Sequence, residues 1–176
     1  GWRREQRNCC SQDYPDIAGQ KADYTLAQIK DILDGKRLGS PDASGNPRAK
    51  GMRGALVDPS GNRRISDEEA AQIARWLATL EPRKPEPLAT PLTDDQKSKA
   101  AKIYADTCEA CHGKTGREPQ EGFPAIAGQK RAYLLAQVKD IKSKARSNGQ
   151  SEAMQGVVAE MKDEDIELIA DYVSQL

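Results

Sequence analysis

An internal repeat limits what this chain can fold into more than any other feature. Residues 15–37, PDIAGQKADYTLAQIKDILDGKR, align without a gap on residues 124–146, PAIAGQKRAYLLAQVKDIKSKAR, and 14 of 23 positions are identical. A second pair of segments aligns at a different offset: ISDEEAAQIARWLATL, ending at Leu80, overlies MKDEDIELIADYVSQL, ending at Leu176. Two copies of one unit must share one fold. Between them lies RKPEPLATPLT (83–93), whose three prolines read as an extended, semi-rigid linker. The expected units are therefore 1–82 and 94–176.

Each copy reads as helical. Tyr24, Leu26, Ala27, Ile29, Ile32 and Leu33 recur near a 3.6-residue period. Ser66 with Glu69 is a capping box, opening a helix whose expected apolar stripe is Ile73, Trp76, Leu77 and Leu80. Lys162 stands where the second copy needs that cap, so Asp163 is the expected cap there. Thr93 with Gln96 is another capping box, for a helix running to about Cys108. Segment 38–64 is crowded with Gly and Pro and reads as loop. No segment alternates convincingly with period two. The expected class is all-α: two small helical domains in tandem. Their core is thin, since only 37% of residues are hydrophobic and a single Phe (Phe123) is present. Domains of about 80 residues bury little surface, so a staple, a metal or a large apolar cofactor is needed to fill the interior.

Residues 108–112 read Cys-Glu-Ala-Cys-His, and C-x-x-C-H is the attachment site of c-type haem. Two thiols one helical turn apart meet the two vinyl groups on one porphyrin edge. The adjacent imidazole of His112, the only histidine, then reaches the iron. A structural zinc site needs four ligands, and these three are too crowded to chelate one ion together. A redox C-x-x-C wants a βαβ context that the sequence lacks. A thioether as sixth ligand suits electron transfer because it raises the potential. Met161 opens the last amphipathic helix and overlies Ile65, which marks it as core. Met154, in the loop before it, is the expected ligand.

With CEACHG, GFPAIAGQ, a helix bearing Tyr133 and Gln137, a loop methionine and KDEDIELIADYV, segment 94–176 resembles a class I cytochrome c domain. The whole chain resembles the tandem-domain, two-haem cytochromes of the c-four group and the related cytochrome subunits of sulfide dehydrogenases. That resemblance implies that Pro124 offers its carbonyl to His112, and that Tyr133 packs near the haem edge or a propionate, or else is simple core. It implies covalent haem c, single-electron transfer without substrate chemistry, and redox protein partners such as a dehydrogenase or quinol-oxidising complex and an oxidase or reductase. The competing reading is a cytochrome subunit of a sulfur-compound dehydrogenase with a cysteine-liganded centre near Cys9/Cys10. Haem c is attached outside the cytoplasm, so the expected location is the periplasm, with any export signal already removed.

The first copy departs from the pattern. Before Pro15 it reads Asn8-Cys9-Cys10-Ser11-Gln12-Asp13-Tyr14, with no second motif and no histidine. Three readings are open: a haemless domain kept as scaffold or docking surface, a sequence lacking residues between Cys9 and Pro15, and a haem held by one thioether or a thiolate. The first implies no second haem in the amino-terminal half and leaves a pocket that Trp2, Met52, the loop 38–64 or a partner must fill. The 27 basic and 27 acidic residues cancel, which excludes a globally basic nucleic-acid binder. No apolar run is long enough to span a membrane. A basic run over 130–146 is read either as a steering rim for acidic partners or as an ordinary solvated helix face.

Overall fold

The computed structural model describes residues 12, 14–42 and 44–176, and among these the regular structure is entirely helical. Cys9, Cys10 and Trp2 lie outside the described residues. The first copy supplies α1 (Ala22–Leu33), α2 (Lys50–Leu56) and α3 (Asp67–Ala78). The second supplies α4 (Asp94–Thr107), α5 (Glu109–His112), α6 (Arg131–Lys142), α7 (Ser151–Val158) and α8 (Asp163–Val173). No helix is long and apolar enough to cross a membrane.

Both capping boxes form. Ser66 Oγ accepts from Glu69 N at 3.1 Å while Glu69 Oε2 accepts from Ser66 N at 2.8 Å, and Thr93 and Gln96 repeat the exchange at the start of α4. The cap expected at Asp163 does not. The α8 cap position is Lys162, which makes no side-chain cap bond, and Asp163, Glu164 and Asp165 fill the first turn. Three carboxylates beside the helix N-terminus compensate the dipole in place of a cap. The loop expected over 38–64 contains α2, a seven-residue helix with no buried residue. Met154 likewise sits inside α7, not in a loop.

In each copy the last helix carries the core. α1 packs on α3, and α6 packs on α8. Ala70, Ala74 and Leu77 of α3 are buried, as are Ile166, Ala170 and Val173 of α8. The stripe expected on α3 is only partly buried, because Ile73 and Trp76 are 38% and 60% exposed. Their repeat counterparts explain why. Ile169 and Tyr172 belong to the second copy, where α4 packs on α8 and sets the Tyr104 ring 6.1 Å from that of Tyr172. No counterpart of α4 is among the described residues of the first copy. Met52 does not fold inward either and is 47% exposed.

The halves meet through equivalent residues exchanging equivalent bonds, the signature of a twofold relation. Gln20 Nε2 donates to Ala125 O and Ala125 N donates to Gln20 Oε1, both at 2.9 Å. Gln129 and Asp16, each 109 positions away from one of these partners, make the reciprocal pair at 2.8 Å. Deeper in, Arg37 Nη2 donates to the Tyr133 hydroxyl at 2.7 Å and Arg146 Nη2 to the Tyr24 hydroxyl at 3.1 Å. The linker is strapped over this seam. Gly19 and Gly128, both at positive φ, lie under Pro82 and Pro85, where a Cβ at either glycine would press on the proline ring. Gln175 Nε2 also donates to Glu86 O at 2.8 Å.

Candidate functional site

α4 ends at Thr107, and Cys108 starts the single turn of α5. Cys111 N and His112 N both donate to Cys108 O, at 3.2 and 3.0 Å, which places the two thiol-bearing residues one turn apart. Tyr104 anchors this junction from α4. Its buried hydroxyl donates to Gly113 O at 2.7 Å, and burial, with Cys108, Glu109 and Tyr172 adding to it, pushes its pKa up to about 12. It therefore stays a protonated donor. Gly113 ends α5 at φ 76°, and a Cβ there would strike the Glu118 carbonyl. The chain can fold back at that point only because the side chain is missing. Gln120 then closes the loop, its N donating to Cys111 O at 3.0 Å and its Nε2 to Ala110 O at 2.7 Å.

The returning loop carries Pro124, whose carbonyl lies 3.0 Å from His112 Nδ1. A carbonyl can only accept, so Nδ1 carries the proton and Nε2 keeps its lone pair. Burial lowers the His112 pKa, with the Pro124 bond acting in the opposite direction, and the ring stays neutral at neutral pH. Phe123 meets it edge-on at 6.2 Å. Burial raises the Cys108 pKa, opposed by the Thr107 hydroxyl and reinforced by Cys111. Cys108 is thus a protonated thiol rather than an activated thiolate.

Cys108, Cys111, His112, Pro124 and Met154 all line one crevice of about 890 Å³, counting its open mouth. Its walls are apolar, from Val138, Ile141, Val157, Ile166 and Ile169. Two thiols, a neutral imidazole with a free nitrogen, and a thioether in an apolar cleft are the donor set of a covalently held haem. Met161 lines the same crevice, so the structure brings both candidate sulfurs to it. Tyr133 is not among the lining residues. Its repeat equivalent Tyr24, from the other half, is there instead, together with Gln28 of α1. Sequence reasoning missed this contribution, although Tyr24, Gln28 and Arg37 are all identical in the two copies.

Most of the basic run over 130–146 is paired, while Lys144 is exposed. Lys130 is buried and lies 3.7 Å from Asp16, while Arg131 pairs with Asp171, Lys139 with Glu167 and Lys142 with Asp163. Arg146 is buried against neutral acceptors.

Residues 98–176 match the cytochrome c family model. Cytochrome c4 of Stutzerimonas stutzeri is 30% identical over 176 residues, covering 96% of this chain and 80% of that protein. A thiosulfate dehydrogenase electron acceptor of Stutzerimonas stutzeri strain A1501 is 27% identical, covering 93% of this chain and 71% of that one. The crystal structure of reduced recombinant cytochrome c4 from Pseudomonas stutzeri superposes with a TM-score of 0.73 at 28% identity, covering 94% of this chain and 86% of the other.

Proposed function

The chain belongs to the cytochrome c4 family, and on that footing we propose that a single haem c is held by its carboxy-terminal half alone. Membership makes it a c-type cytochrome, an electron-transfer protein rather than an enzyme. Haem c, when bound, supplies a one-electron Fe(III)/Fe(II) couple. The chain's own residues do the rest. Cys108 and Cys111 would hold the group through thioether bonds, and His112 would offer its Nε2 lone pair to the iron. The Pro124 carbonyl fixes the tautomer and orientation of that ring. Met154 would supply a thioether sulfur to the iron, and the apolar walls would keep water out. Arg146, which lines the crevice without a carboxylate partner among the described residues, offers a cation to the acidic edge of the group.

The observation that carries this reading is the neutral His112 ring, locked at Nδ1 by Pro124 beside two thiols in an apolar crevice. The amino-terminal half, spanning 1–82, has no histidine, so the same attachment and ligation cannot be built there. It serves as a scaffold and docking body joined through the 83–93 strap. Covalent attachment of haem c puts the protein in the periplasm. The likeness to a thiosulfate dehydrogenase electron acceptor supports a donor that oxidises a small sulfur compound, with the electron passed on to an oxidase or reductase. Mass spectrometry of the denatured protein tests the attachment: the expected mass is that of the chain plus one haem. Loss of the haem to acid–acetone extraction would contradict it.

A further inference from the structure

The wall that Tyr24 and Gln28 contribute to the crevice belongs to the half that we read as haemless, and Arg37 backs it. Arg37 Nη1 donates to Gln28 Oε1 at 2.9 Å, and its Nη2 to the Tyr133 hydroxyl at 2.7 Å and to Gln137 Oε1 at 3.3 Å. Arg146 mirrors it, donating to Gln137 at 2.8 Å and to Gln28 at 3.3 Å. Each glutamine oxygen thus accepts from both guanidinium groups. Among the described residues neither arginine is ion-paired. Asp31 acts on Arg37 electrostatically, but its carboxylate accepts from Asn148 Nδ2 at 2.7 Å, and the Asp140 carboxylate accepts from Ser40 N.

We propose that the amino-terminal half sets the reduction potential of the haem held by the other half, with the Arg37 guanidinium acting as the tuning charge from behind Gln28. This rests on the haem assignment above. Reduction adds one electron, drawn from a redox partner or an electrode, to a site one hydrogen bond beyond a wall residue from a cation. In a partly desolvated seam that cation favours the Fe(II) state. Arg37 stays charged: burial disfavours the cation, but the Tyr133 and Tyr24 phenols outweigh it and its pKa rises. Arg37 does not line the crevice, so it is a positioning residue that acts through its neighbours.

The test is a redox titration of full-length holoprotein carrying Arg37→Gln, Arg37→Met or Arg37→Lys. Haem content is read by pyridine haemochrome, and axial ligation by the near-infrared thioether band. The two neutral variants should lower the reduced-to-oxidised ratio at fixed electrode potential on the order of tenfold, about 59 mV for one electron. Arg37→Lys should retain most of the wild-type value, with haem content and band unchanged in all three. Neutral variants within twofold of wild type would overturn the proposal, and so would a lysine variant that falls as far as they do. Protein without haem would instead overturn the assignment beneath it.

Discussion

At the scale of single residues, two methionines compete for one place in the crevice beside Cys108, Cys111 and His112. Five consecutive residues name two thiols and an imidazole, because their chemistry requires that spacing. The methionine depends on tertiary placement, and both Met154 and Met161 reach the crevice. Met154→Ala should abolish the near-infrared thioether–iron band and lower the potential, while Met161→Ala should keep both. The reverse result would reassign the ligand. Asp23 offers a second residue-level check. Its Oδ2 accepts from Gly122 N of the other half at 2.7 Å, and this bond holds its pKa below the ordinary carboxylate value. A depressed folded pKa contributes stability above the unfolded pKa, and that contribution is lost as pH falls through the folded value. Thermal melts should therefore weaken on acidification below the ordinary carboxylate range. Asp23→Asn, which can still accept from Gly122 but does not titrate, should flatten that part of the profile.

At the scale of elements, long amphipathic helices with capping boxes were legible, and short ones were not. α2 reads as loop because Gly51 and Gly54 break its pattern and it buries nothing, so no periodicity marks it. α7 is only eight residues long, and Gly156 interrupts its pattern. The α8 cap position lies one residue before the expected cap, because the charge of the whole first turn outweighs a local cap signal. The linker reads as a spacer, yet its Pro85 lies on Gly128 of the second half, and Pro82, just before it, lies on Gly19 of the first. Gly19 and Gly35 share φ 72°, so alanine strains the backbone equally at both. Only Gly19 also faces a proline ring, whereas the nearest atom to a Cβ at Gly35 is a flexible arginine side chain 3.8 Å away. Gly35→Ala should cost on the order of 1 kcal/mol and Gly19→Ala clearly more. Equal melting temperatures for the two variants would remove the Gly19–Pro82 contact from the account.

At the scale of the whole molecule, the repeat announced two like bodies but not how they join. The signal was present in polar identities that a helical core does not need: Gln20 with Gln129, Gln28 with Gln137, Tyr24 with Tyr133, Arg37 with Arg146. Hydrophobic periodicity is blind to such positions, because interface hydrogen bonds leave no period. The halves also differ in finish. Tyr14, Ile17, Leu38, Met52, Ile73 and Trp76 are exposed in the first, against Val157 alone in the second. For Ile73 and Trp76 the contrast follows from packing: the second half has α4 against α8, and no counterpart of α4 is among the described residues of the first. The central claim is a count. A pyridine haemochrome assay against protein concentration measures it directly, and the account predicts one haem per chain. Two haems per chain, or none, would contradict it.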